Sequence, residues 1–306
     1  MNDRMRIVFM GTPDFAVASL KELVEHGQQI VGVVTATDKY GGRGGKKLIE
    51  SAVKKYAQEQ HIKVLQPSNL KSEAFLQELK DLNADLQVVV AFRMLPEVVW
   101  NMPPLGTFNL HGSLLPKYRG AAPINWAIIN GEQNTGVTTF FLKHAIDTGD
   151  IIFQESLPIA PNDTAGSLHD KMMHLGAKVV LKTVQAIADN TVQSLPQNDS
   201  EACDAPKIFK ETCEINTKMD VQKAYDFVRG MSPYPAAWTT LDDKMFKIFD
   251  CNPVLAERQT NELFETDQKS YLRMWFTDGY LSLNEVQLQG KKRMQIKEFL
   301  NGYKFI

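Results

Sequence analysis

The chain has 306 residues, of which 43% are hydrophobic and 23% charged, with a net charge of −2. That length supports one sizeable core or two domains, and the composition is that of an ordinary globular protein rather than a disordered one. Near-neutral charge excludes a globally basic nucleic-acid binder, so any polyanionic partner has to be held by local basic patches.

Residues 6–10 form a short apolar run that ends at Gly11 and reads as a strand. Thr12-Pro13 resembles an N-cap followed by proline at the first helical position, opening a helix to about Glu25 with Phe15, Leu20 and Leu23 on its inner face. A strand at 30–34, a helix at 48–60, a strand at 62–65, a helix at 71–82, strands at 86–90 and 107–111, and a helix at 123–130 continue the alternation. Apolar strands alternating with amphipathic helices predict a doubly wound, mostly parallel α/β sheet. Beyond Gly149 come a strand at 151–153 and a long helix at 164–189. The polar stretch 190–206, with Pro196 and Pro206, reads as a linker. A helix at 218–230 and strand-like segments at 245–250, 271–277, 280–287 and 292–298 then suggest a small OB-like β-barrel. The expected organisation is a catalytic domain over 1–189, a linker over 190–206 and an OB-like domain over 207–306.

Thr107 to His111 alternates polar and apolar residues, so Asn109 and His111 project from one face of their strand, about 7 Å apart. Gly112 and Pro116 break the strand, which puts the pair near its C-terminal end, where ligands bind in open α/β sheets. Asp147 and Asp150 flank Thr148-Gly149 in a tight loop, where one of them can simply cap a turn. An amide, an imidazole and a carboxylate converging at a strand end stabilise an oxyanion and move a proton. His26, His61, His144, His169 and His174 lack such company.

Gly11-Thr12-Pro13-Asp14 closes a strand and opens a helix, which suits an anion or a cleft lining, but it lacks the later glycines of a dinucleotide fingerprint. Gly41 to Lys47 is a glycine-rich basic loop without the spacing of a phosphate-binding P-loop. It reads either as a solvated surface loop or as one that a polyanion orders. Lys291, Lys292 and Arg293 cluster at a turn in the strand-rich C-terminal region, where OB-type barrels present faces to nucleic acid. Cys203, Cys213 and Cys251 form an odd, widely spaced set with neither a zinc nor a disulfide signature. They read as small buried hydrophobes or incidental thiols and fit a reducing cytoplasm. Residues 1–6 carry no signal-peptide apolar region, and no apolar run is long enough to span a bilayer.

Four separated motifs, in the right order, resemble the folate-dependent formyltransferases over essentially the whole chain. They are Met10 to Ala16, Gly42 to Leu48, Asn109 to Pro116 continuing through Arg119 to Ile124, and Asp147 to Asp150. Within that family the opening motif and the basic glycine loop are most similar to the members that act on methionyl initiator tRNA. Members acting on amino sugars share the central signature almost verbatim, so that segment points to the reaction and not to the acceptor. The resemblance implies formyl transfer from 10-formyltetrahydrofolate, as co-substrate and without a metal, by Asn109, His111 and Asp147. It implies a folate pocket formed by Ser113, Leu114, Leu115 and Pro116 together with Phe92, Arg93, Met94 and Leu95. It places tRNA contacts on Arg43, Lys46 and Lys47, to which the cluster Lys291, Lys292 and Arg293 is added. It also implies a cytoplasmic monomer with initiator methionyl-tRNA as partner and no membrane partner. Two departures stand out: the segment 91–96 is one residue shorter than the usual folate loop, and Thr217 stands where many relatives carry Trp.

Overall fold

A computed structural model describes residues 5–41, 45 and 47–305. Seven strands form one sheet: β1 (Arg6–Gly11), β2 (Gln29–Val34), β3 (Val64–Leu65), β4 (Leu86–Val90), β5 (Thr107–His111), β6 (Asn134–Phe141) and β7 (Ile151–Pro158). Their spatial order is β7-β6-β5-β4-β1-β2-β3. The first five strands pair in parallel, and β5 pairs antiparallel with β6. The expected mostly parallel sheet is therefore present. The chain winds outward from β1 to β3, then returns to the other side of β1 with β4. That reversal makes β1 and β4 the switch point, where the carboxyl ends of strands open a crevice.

Both faces of the sheet are covered, which is why its strands read as nearly continuous apolar runs. Val8, Met10, Val34 and Val89 pack on one face with Phe75 and Leu79 of helix Glu73–Asp81. Leu110 points to the other face, where Gly176 of the long helix Ala165–Ala188 leaves room for its side chain.

Several boundaries differ from the sequence reading. Residues 47–49 are not the start of a helix but a strand (Lys47–Ile49) paired with Lys39–Gly41 in a hairpin. The helix begins only at Ala52, where the Ser51 hydroxyl caps the Lys54 N–H. Pro13 is itself the N-cap of the first helix, Asp14–Glu25, which starts one residue later than expected. The segment 292–298 divides into a short strand, Met294–Gln295, and a helix, Ile296–Gly302, because Ile296, Phe299 and Leu300 follow a helical and not an alternating spacing. Within the stretch 190–206, read as a linker, Asp199–Glu201 forms a 3-10 turn.

By internal contacts the chain forms two units that interleave in sequence. One comprises the chain up to Arg119 with Gly136–Ser156 and Asp170–Asp204; the other comprises Gly120–Thr135, Leu157–His169 and the chain from Ala205 onward. In the second unit, strands β8 (Ala237–Leu241), β9 (Lys244–Leu255), β10 (Phe264–Thr266), β11 (Leu272–Trp275) and β12 (Gly279–Leu288) form an antiparallel sheet in the order β8-β9-β12-β11-β10. Register shifts at Ile248–Cys251 bend β9. The sheet packs against the helix Val221–Met231 around Phe246, Ile248, Leu281 and Val286.

Asp220 caps that helix by accepting the Lys223 N–H at 2.8 Å and pairs with the Lys223 ammonium at 2.8 Å. The ammonium first, and then the backbone N–H, hold the Asp220 carboxyl below the ordinary carboxylate range. A depressed folded-state pKa gives stability that is present above the unfolded value, about 3.9, and is lost as pH falls through the lower folded value. Asp220→Ala should therefore cost about 1 kcal/mol at neutral pH. Urea unfolding of the C-terminal unit at pH 7 and near pH 3 should show the difference between variant and wild type narrowing at the lower pH.

Candidate active site

Asn109 and His111 sit on the same face of β5 as Val89 on the neighbouring strand, with which Asn109 is in register. Asn109 is half-buried, and its side-chain amide makes no hydrogen bond among the described residues, which leaves its donors available. His111 is buried, at 6% exposure, with its ring edge-on to Phe140. His111 Nε2 lies 2.8 Å from the Tyr118 carbonyl. A carbonyl only accepts, so Nε2 carries the hydrogen and Nδ1 is the ring nitrogen left for other work. Nδ1 faces Asp147 Oδ2 at 3.7 Å.

The approach of Asp147 is not a simple consequence of strand order. Since β6 runs antiparallel to β5, its last residue, Phe141, lies opposite Phe108 near the start of β5. The loop 142–150 must therefore travel back along β5 for Asp147 to reach His111. Asp147 adopts a left-handed conformation, with φ 55°, which costs a non-glycine residue energy unless its surroundings hold it. Gly149 passes so close to β6 that a Cβ there would lie 1.6 Å from the Phe141 carbonyl oxygen. The Gln197 amide donates to the carbonyls of Asp147 and Gly149, each at 2.8 Å. Arg119 in turn donates to Gln197 Oε1 from Nε at 3.1 Å and Nη2 at 2.7 Å, and pairs with Asp199 at 2.7 Å. Sequence reading missed Gln197, since it falls in the presumed linker, and met Arg119 only as part of the shared signature.

The segments expected to line the folate pocket leave adjacent strand ends, since Val90 and Leu110 are in register. Phe92 is half-buried, while Arg93 and Met94 are exposed, Met94 at 72%. Leu95 is turned into the core with Val89 and Val99. Arg93 is held by the carbonyls of Pro67 and Ser68. In the second segment Ser113 is fully buried and its hydroxyl donates to the Lys117 carbonyl at 2.6 Å. Leu115 is also buried, its N–H donating to Thr138 Oγ1 at 3.1 Å. Within the expected folate-pocket segment, Ser113 and Leu115 are therefore committed to shaping the loop. Leu114 and Pro116 stay half-buried and accessible.

Of the cations assigned to tRNA, Arg43 and Lys46 lie outside the described residues. Lys47 is exposed on its hairpin strand. In the C-terminal cluster Lys292 pairs with Glu298 at 3.6 Å. Arg293 pairs with Glu285 and lies 4.1 Å over the Phe249 ring. Two of the three charges are thus locally balanced. A groove of about 480 Å³ elsewhere in the second unit is lined by Lys207, Lys210, Lys247, Tyr234 and Trp238, a basic and aromatic surface that sequence reading did not single out. Among the cysteines, Cys213 and Cys251 are buried and burial pushes both thiols up, whereas Cys203 is exposed and its sulfur accepts the Tyr118 N–H at 3.3 Å.

The family profile described as "Formyl transferase" matches residues 5–184, and that described as "Formyl transferase, C-terminal domain" matches residues 207–304. The chain belongs to the formyltransferase family. A protein named methionyl-tRNA formyltransferase from Parabacteroides distasonis is 56% identical over 99% of this chain and 97% of its own length. One of the same name from Bacteroides thetaiotaomicron is 54% identical over 98% of this chain and 96% of its own. Among solved structures, the N-formyltransferase of Helicobacter canadensis, crystallised with folinic acid and dTDP-3-aminofucose, shares the fold with a TM-score of 0.70 at 23% identity, covering 95% of this chain and 100% of that one.

In this formyltransferase the close passage of Gly149 is what lets the Asp147 loop lie against β6. Gly149→Ala would force the loop off the strand, because the obstructing atom is backbone. Formyl transfer by this variant should fall by at least tenfold, while the thermal midpoint drops by only a few degrees. Single-turnover rates and a melting curve check this.

Proposed function

We propose that this formyltransferase moves the formyl group of 10-formyltetrahydrofolate to the α-amino group of methionyl initiator tRNA, yielding formylmethionyl-tRNA for translation initiation. The observations that carry the chemistry are His111 Nδ1 facing Asp147 at 3.7 Å and the Asn109 amide on the same face of β5 as His111. The choice of acceptor is supported by full-length relatives of that name above 50% identity.

The donor supplies an activated formyl carbon. Attack by the neutral amine drives negative charge onto the formyl oxygen. The unengaged Asn109 amide donates to that oxygen, and Nδ1–H of His111 donates alongside it. One such donor is worth about 3 kcal/mol when the charge develops in a site shielded from water. When Nδ1 bears a proton the ring is a cation, and the Asp147 carboxylate 3.7 Å away balances it. As the attacking nitrogen loses a proton and the departing folate nitrogen gains one, the His111–Asp147 pair relays it through water. The apolar side chains of Phe92, Met94 and Leu114 and the ring of Pro116 suit the flat pterin and benzoyl groups.

On the acceptor side, Arg43, Lys46 and Lys47 hold tRNA phosphates or base edges. Residues 207–306 add further contacts through Lys291 and Lys292. The groove at Lys207, Lys210 and Lys247, with Tyr234 and Trp238, offers both charge and stacking surface for a single-stranded end.

Offered methionyl-tRNA, free methionine and a UDP-aminosugar in parallel, the enzyme should formylate the tRNA; formylation of the sugar alone would overturn this reading. Asn109→Ala and His111→Ala should each slow single-turnover transfer about a hundredfold or more. Asp147→Asn should keep folate binding while transfer fails, and an unchanged rate would remove the carboxylate from the mechanism. Arg43→Ala should weaken use of methionyl-tRNA at constant folate affinity. Neutralising Lys291 and Lys292 should reduce the salt dependence of tRNA binding by about one unit of log–log slope per lost phosphate contact. tRNA binding measured across a salt series checks the last point.

A further inference from the structure

The proposed chemistry needs Asp147 at His111 Nδ1, yet the loop that delivers it is anchored from outside the motif that carries it. One primary amide, that of Gln197, binds the carbonyls of both Asp147 and Gly149 at 2.8 Å. The amide oxygen is fixed in turn by two donors of Arg119. A carboxamide is suited to this position. Its NH₂ satisfies two carbonyls while its oxygen receives the guanidinium, so neither end is left unpaired. Arg119 has little freedom of its own, because Asp199 holds Nη2 and the Arg119 N–H donates to the Cys203 carbonyl at 2.9 Å.

The same segment, 197–203, also holds the other half of the pair. Tyr118, whose carbonyl receives His111 Nε2, adopts a left-handed conformation with φ 61°. Its N–H donates to the Cys203 sulfur at 3.3 Å. Two non-glycine residues in an unfavourable backbone region thus flank the imidazole, one on each ring nitrogen, and both are restrained by 197–203.

We propose that Gln197 is a positioning residue for formyl transfer: clamped by Arg119, it holds the Asp147 loop so that the carboxylate meets His111 Nδ1, with segment 197–203 setting both partners of the imidazole at once. This rests on the mechanism proposed above. It predicts effects on the chemical step and on the imidazole itself from a residue whose side-chain hydrogen bonds go to Arg119, Asp147 and Gly149.

The test compares Gln197→Ala, Gln197→Glu and Arg119→Lys with wild type in single-turnover transfer, folinic acid affinity and the ¹⁵N resonances of the His111 ring. Gln197→Glu retains an acceptor for Arg119 but turns a carboxylate toward two carbonyl oxygens, so it should be the most damaging, with transfer at least thirtyfold slower. Gln197→Ala and Arg119→Lys should each lose about tenfold. Folinic acid affinity should stay within threefold in all three variants, and the Nδ1 resonance of His111 should move in the free enzyme. The inference is overturned if Asp147→Asn is inactive while Gln197→Ala and Gln197→Glu transfer within twofold of wild type. It is equally overturned if their rates fall but the His111 resonances stay in place, since the loss would then be general destabilisation. Wild-type transfer by Asp147→Asn would instead defeat the underlying mechanism, so the two failures are distinct.

Discussion

The site depends on β5 being hydrogen-bonded along both edges. On one side β4 holds it in parallel register, Val90 opposite Leu110; on the other β6 holds it antiparallel, His111 opposite Thr138. With both edges paired the strand cannot slip by one residue, a change that would send Asn109 and His111 to the face occupied by Leu110 and the long helix. Buried Leu110 and Phe108 make such a slip costly, because it would put an amide and an imidazole into an apolar layer. The two side chains therefore stand at a fixed spacing at the carboxyl end of the sheet, beside the crevice that the reversal at β1 opens.

From that fixed strand the surrounding loops are built in tension with backbone preference. Tyr118 and Asp147 occupy the left-handed region without being glycine, and Thr138 ties the 113–115 turn by donating to the Ser113 carbonyl at 2.6 Å while accepting the Leu115 N–H. Gln154 completes this tie by donating to the Leu115 carbonyl at 2.7 Å and to Thr138 Oγ1 at 3.0 Å. Polar side chains that sequence reading assigns to ligand contact are thus partly spent on shaping the loops, leaving half-buried Leu114 and Pro116 and exposed Met94 to face outward. Such distribution is expected where catalytic groups must be pre-organised before substrate arrives.

Charge on the second unit follows a similar logic. Glu285 and Glu298 neutralise part of the 291–293 cluster, and exposed pairs of this kind contribute little to stability. They reduce the net positive charge that Lys292 and Arg293 present at this turn. Lys207 and Lys210 meet Lys247, from a distant part of the chain, beside the aromatic side chains of Tyr234 and Trp238.

Much of this was legible in the residues themselves. Apolar strand runs alternating with amphipathic helices mark the parallel sheet, and the period-two pattern of 107–111 identifies the face that Asn109 and His111 share, because side-chain direction in a strand follows from local geometry alone. Spacing also marks the hydrophobic helix faces. It did not reveal the pairing of strands 39–41 and 47–49 or the helix at 296–302, where short elements take their form from pairing partners and packing. Nor did it reveal that Gln197 and Arg119, 78 residues apart, hold the loop of Asp147, that Glu285 balances Arg293, or that Ser113 is turned inward. Only folding brings Gln197 and Arg119 within reach, and even the nearer partners, Glu285 with Arg293 and Ser113 with the Lys117 carbonyl, meet only once the strands and turns that carry them are formed. Local periodicity determines which residues can face a cleft; which of them are free to act there is decided by the tertiary contacts that claim the others.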